Sequence, residues 1–216
     1  RDTLSEIYLG RGLYGDAARS YLAQANDKRH SKEKRVNYAA KHLNIEKVYG
    51  DEDKAKASIN IINKLANKGS DAEIAKKIYA LELAVRNKNY KELARHEKLF
   101  SQMDVMDTDS REALALARYT LARHKGEESF DEIFNLGLKK ALDKQIAHYK
   151  SIKKTYESIC DIEPNSYCAP AMFELAKLTE KALYAIEDIK LPETLGDSTV
   201  QKFNAHKSNV VMNLVN

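Results

Sequence analysis

Apolar residues along this chain recur at steps of three and four, and short polar turns interrupt the recurrence at intervals. The clearest stretch runs from Asp71 to Phe100, DAEIAKKIYALELAVRNKNYKELARHEKLF. Ile74, Ala75, Ile78, Leu81 and Ala84 with Val85 fall on one face of a first helix. Tyr90, Leu93, Ala94, Glu97 and Phe100 keep the same step on a second. Between them, Asn87-Lys88-Asn89 supplies residues that cap and turn. Two helices of this size cannot bury their own apolar stripes, so the pattern calls for neighbours of the same kind.

The rest of the chain provides them. From Asp2, Leu4, Ile7, Tyr8 and Leu9 lead to Gly10, and Leu13-Tyr14-Gly15-Asp16 turns into a helix carrying Ala17, Tyr21 and Ala25. Glycine at that turn permits positive φ, and Asp16 is placed to cap. After the polar segment Asn26–Lys34, Val36, Ala39, Ala40, Leu43 and Val48 make one face that Gly50 ends. Asp51 or Asp53 then caps a return helix with Ala55, Ile59, Ile62 and Leu65 with Ala66 inside, closed by Lys68-Gly69-Ser70. Beyond Phe100, Ser101–Ser110 reads as a loop, and Ala113, Leu116, Ala117, Thr120 and Leu121 as the next inner face. Lys125-Gly126-Glu127 reads as the next turn, with Phe130, Ile133, Phe134 and Leu136 opening the return helix. Gly15 to Gly50, Gly50 to Asn87 and Asn87 to Gly126 are 35, 37 and 39 residues, a drifting period characteristic of degenerate helix–turn–helix repeats.

The last third differs. Leu138–Cys160 holds neither Gly nor Pro and keeps Leu138, Leu142, Ile146, Tyr149, Ile152, Tyr156 and Ile159 in a stripe, which predicts one long helix. A loop containing Pro164 follows, then a second strong helix with Pro170 in its first turn, a break at Leu191-Pro192, and a final segment Thr199–Val215. The expected organisation is therefore repeats over residues 1–137, with turns near 15, 50, 87 and 126, and long helices completing or capping the array over 138–216.

Composition narrows the class. With 43% hydrophobic and 31% charged residues, the chain has the balance of a folded helical protein rather than a disordered one. No apolar run approaches the roughly 18 residues that span a membrane. The net charge of +4 is mild, and lysines alternate with glutamates as on solvated helix faces. Lys28-Arg29-His30 with Lys32, Lys34 and Arg35 is the densest basic row, but nothing in it demands nucleic acid.

Chemistry is sparse. His30, His42, His96, His124, His148 and His206 are scattered, form no pair at metal-ligand spacing, and read as exposed or boundary residues. Gly10-Arg11-Gly12 lacks the strand-to-helix setting of a phosphate cradle, and carboxylates interleaved with lysines single out no acid–base pair. No catalytic, cofactor or metal residue is assigned. Tyr8, Tyr14, Tyr21, Tyr38, Tyr49, Tyr79 and Tyr90 recur where helices should meet, as packing or as binding anchors.

The pieces GLYGDAARSYLAQA, VYGDEDKAKASINII and NKNYKELARHEKLF resemble degenerate tetratricopeptide repeats, keeping the small residue and the aromatic of the second helix. They depart from that family in lacking an aromatic near the start of the first helices, and only Leu9-Gly10 echoes its Leu-Gly signature. The ending, a lysine-rich helix followed by Cys168-Ala-Pro-Ala-Met-Phe-Glu-Leu and later Leu191-Pro192, resembles the tail of periplasmic repeat proteins of adventurous gliding motility in deltaproteobacteria and predatory relatives. These resemblances imply an all-α fold, a right-handed superhelical array of antiparallel helix pairs. They also imply a non-enzymatic scaffold in a cell-envelope complex whose partners are other proteins. A periplasmic setting favours a disulfide between Cys160 and Cys168, whose seven-residue separation permits one; the alternative is two separate buried thiols. If the first helix of each pair lines a concave groove, Asn37, Lys41, Lys77, Glu82 and Arg118 are candidate polar contacts. A cytosolic adaptor, a nucleic-acid-binding repeat protein and a helical enzyme are the rival readings.

Overall fold

Scarce proline and glycine and abundant Ala, Leu, Lys and Glu favour helix almost throughout. In the computed structural model, which describes residues 2–49, 52–104, 106–128, 138–187, 191 and 196–215, ten α-helices and no strand occur among the described residues. Residues 1–102 and 103–216 form two compact units. The change of character that the sequence spacing places at 137 lies outside the described residues.

The N-terminal unit contains α1 (Asp2–Gly10), α2 (Tyr14–Asn26), α3 (Lys32–Tyr49), α4 (Glu52–Leu65), α5 (Asp71–Arg86) and α6 (Tyr90–Ser101). Each packs on the next, and α2 also meets α4 while α3 meets α5. Alanines make this approach possible: Ala17 and Ala25 of α2, Ala39 of α3 and Ala55 of α4 are fully buried. Tyr21, Leu43, Ile62 and Leu81 fill the space between. Burial of each such large side chain is worth about 1.5–3 kcal/mol. Because α3 has neighbours on several sides, Val36, Tyr38, Ala39, Leu43 and Ile45 are buried around much of its circumference, and its apolar pattern is correspondingly diffuse.

Two helix ends close in the same way. Past α1, the Leu13 N–H donates to the Tyr8 carbonyl at 2.8 Å and the Gly12 N–H to that of Leu9 at 3.0 Å, with Gly12 at φ +70°. Past α5, Asn89 donates to Ala84 at 2.9 Å and Lys88 to Val85 at 3.1 Å, with Lys88 at φ +51°. Both are Schellman closures, one with the preferred glycine and one with a lysine in its place. Asn89 then caps α6, accepting from the Glu92 N–H at 3.2 Å.

Several expectations are corrected. The positive φ falls on Gly12, while Gly15 lies inside the first turn of α2 together with Asp16, which makes no cap hydrogen bond. Asp53 likewise sits inside α4, paired with Lys56 at 2.7 Å; Gly50 and Asp51 lie outside the described residues. Val48, expected in the core, is 74% exposed. Its supposed place on the buried face of α3 is taken by Glu46, one step nearer to Leu43. Gly126 does not turn the chain: it lies within α7, where the Leu178 side chain would meet an added Cβ at 3.7 Å. The return helix expected from Phe130 to Leu136 lies outside the described residues.

The C-terminal unit contains α7 (Thr108–Glu128), α8 (Leu138–Cys160), α9 (Cys168–Glu187) and α10 (Asp197–Val215). α8 packs on α7 and α9, α7 also meets α9, and α10 packs on α9. Tyr149, Ile152, Tyr156 and Ile159 form the buried stripe of α8 and Ala171, Leu178, Ala182 and Ile186 that of α9. The segment joining the two helices is tied at many points. Cys160 and Cys168 are bonded, with Cα atoms 4.7 Å apart. Arg111 donates to the Glu163 carbonyl at 2.8 Å, and the Glu112 carboxylate accepts from the backbone and the hydroxyl of Ser166, each at 2.8 Å. The Glu163–Pro164 peptide is cis.

Candidate functional site

The side chains between α1, α2 and α3 form a largely apolar depression of the N-terminal unit. Tyr21 is buried, and its hydroxyl donates to the Glu6 carboxylate at 2.7 Å. The Lys41 ammonium reaches the same carboxylate at 2.7 Å and stands 5.4 Å from the centre of the Tyr21 ring. Below them, Gln24 donates to Ser5 at 3.0 Å and Ser5 to Ser20 at 2.7 Å, which fixes the α1–α2 register. These contacts frame a depression of about 440 Å³ whose other walls are Leu9, Tyr14, Asn44, Ile45 and Val48. Tyr14 is 45% exposed and Val48 74%; Ile7 of α1 and Leu13, just before α2, are also exposed. An amphipathic ring and an aliphatic side chain left in water beside a paired charge are the composition of an interaction surface.

The sequence-derived groove residues separate into different roles. Lys41 lines this depression, already engaged with Glu6. Asn37, one turn earlier on α3, is exposed and lines a second notch described below. On α5, Glu82 pairs with Lys47 of α3 at 2.8 Å, and Lys77 pairs with Glu73 at 3.2 Å within its own helix. The Glu73 carboxyl is held below its ordinary range chiefly by the Gly69 N–H, then by Lys77. Lys41 and Glu82 therefore tie first helices together, α1 to α3 and α3 to α5. Arg118 belongs to the C-terminal unit, where it donates to the Ser158 carbonyl at 3.3 Å. Tyr14 was among the tyrosines read as packing or as binding anchors, whereas Val48 was missed as a site residue, since a single-helix pattern assigns it to packing and only three helices together expose it.

One internal constellation has the residue types of a hydrolase. The Ser58 hydroxyl lies 2.8 Å from His42 Nδ1, and His42 Nε2 lies 3.4 Å from the Glu46 carboxylate. All three are buried, Ser58 completely, so no substrate reaches the hydroxyl. The set is a polar pin between α3 and α4, and it corrects the expectation that His42 lies at the surface. Among the described residues no group of three His, Cys, Asp or Glu side chains is placed to hold a metal ion. No helix is long and apolar enough to cross a membrane, again among the described residues. Comparison of the chain with protein-family models, with curated proteins and with solved structures finds no match in any of the three.

Proposed function

We propose that this chain is a non-catalytic protein-interaction scaffold, an α-solenoid of tetratricopeptide-like helix pairs that works within a bacterial cell-envelope complex of the gliding-motility kind. The observation that carries the reading is the depression walled by Leu9, Tyr14, Ile45 and Val48, apolar and open, with the Glu6–Lys41 pair at its edge. The next-but-one packing of α2 on α4 and of α3 on α5 supports a stacked array, since stacking gives each helix of a pair a counterpart in the following pair. The Cys160–Cys168 bond supports an oxidising compartment, where such bonds persist.

A photoreactive amino acid placed at Val48 tests it, with the exposed Asn60 of α4 as the control position. Irradiation in the native cell is expected to join other proteins to position 48 and none to position 60. Adducts at neither position, or equally at both, would sink the scaffold reading.

A further inference from the structure

A second notch, at another place on the N-terminal unit, has a different chemistry. It lies where the start of α3 meets the α4–α5 connection and has a volume of about 480 Å³, within the range of ligand sites. Val36, Ala40, Leu65, Ala66 and Ala72 give it an apolar floor. The amides of Asn37 and Asn67 stand at its side. The Ser70 hydroxyl, also in its wall, is buried without a hydrogen-bond partner. A buried orphan hydroxyl costs free energy that an incoming acceptor recovers.

The charge around the notch is unbalanced. Lys32 lines it, and Lys28, Lys64 and Lys68 lie on the segments that run into it, all four exposed and none ion-paired among the described residues. Glu33 and Asp71 also line it, but both sit in the first turns of helices, α3 and α5, whose N-terminal partial charge offsets theirs. Over the two segments that build the notch, residues 26–37 and 64–73, seven Lys and Arg stand against four Asp and Glu. Residues 1–102 as a whole carry 21 Lys and Arg against 14 Asp and Glu.

We propose that this notch binds an acidic peptide segment of a partner protein, one apolar side chain on the floor and flanking carboxylates against Lys32, Lys68 and the Ser70 hydroxyl. Nucleic acid fits less well. Stacking a base needs an exposed aromatic face, and the nearby Tyr38 is buried with its ring 5.3 Å from that of His30. The proposal rests on residues other than those of the Tyr14–Val48 depression, so either can fail alone.

Fluorescence anisotropy on the whole chain decides it, with a labelled peptide of alternating acidic and leucine residues as the probe. The peptide is expected to bind, more weakly as salt rises, and the double substitution Lys32→Glu with Lys68→Glu should reduce affinity about tenfold or more. Replacing the peptide's leucines by serine should abolish binding, whereas Asn60→Asp in the protein, at an exposed position of α4 outside both depressions, should leave it unchanged. Circular dichroism of the variants separates lost binding from lost fold. No binding of the acidic peptide, indifference to the lysine substitutions in folded protein, or equal affinity for a labelled oligothymidylate would overturn the proposal.

Discussion

The two units hold their helices in register by different means. In residues 1–102 the tools are distributed and non-covalent: the Ser5–Ser20–Gln24 cluster, the Ser58–His42–Glu46 pin, and the pairs Glu6–Lys41 and Lys47–Glu82. In residues 103–216 non-covalent ties such as Arg118–Ser158 and Tyr149–Thr179 are joined by a covalent one at the connection from α8 to α9, the Cys160–Cys168 bond, beside that connection's ties to Arg111 and Glu112 of α7. The charge differs too. The second unit carries 15 Lys and Arg against 18 Asp and Glu, so the basic excess of the protein resides entirely in the first. A unit held only at weak points should yield gradually to any one change, whereas a unit with a covalent cross-link at one connection should respond sharply there.

The largest test of that contrast is covalent. Replacing Cys160 and Cys168 by serine opens a short loop whose closure contributes about 2.5 kcal/mol in the chain-entropy account. Hydrogen exchange should show that loss in α7–α9 and leave α2–α4 as protected as before; equal losses in both units would break the comparison. A smaller effect is expected from pH, with opposite signs. Burial pushes the Tyr156 hydroxyl up to about 12, so the neutral ring is favoured in the fold. Stability of the second unit should hold below pH 10 and fall as pH rises toward 12, by about 1 kcal/mol at pH 11, and Tyr156→Phe should flatten the slope. Glu73 in the first unit is shifted down instead, so its contribution is present above its ordinary 4.5 and is lost as pH falls through the lowered value. Denaturation midpoints followed across pH, with Glu73→Gln as the flat reference, read both signs. The smallest effects are at the backbone. Lys88→Gly relieves a left-handed lysine, and Gly15→Ala removes a helical glycine with open space around it, each stabilising by about 0.5–1 kcal/mol in thermal unfolding. Gly12→Ala, at φ +70°, should do the reverse.

The all-helical class and the positions of most helices were legible because they follow from periodicity within single segments. The two helices of Asp71–Phe100 lie where their apolar steps and the Asn87–Asn89 turn put them, and Leu138–Cys160 is one helix as its stripe required. Glycine misled where it served something other than a turn: Gly126 is a residue of α7 facing Leu178. Hydrophobicity misled on α3, where burial passes through His42 and Glu46 and leaves Val48 outside. A rule that counts only apolar residues cannot follow a face that is buried by mutual hydrogen bonding. The candidate site was illegible for a related reason. Lys41 was visible as an exposed cation, but its partner Glu6 lies 35 residues away, and the walls of the depression come from three helices.

In the N-terminal unit each helix meets partners that are one or two places away in the chain. Such low contact order shortens the search for native pairings, because loop closures are brief and each can be completed before the next segment is available. The unit is therefore suited to assembling in step with its own synthesis, with α2 and α3 seated before α5 has left the ribosome. It is also suited to change by whole helix pairs, since duplicating or deleting one disturbs two junctions and no distant contact.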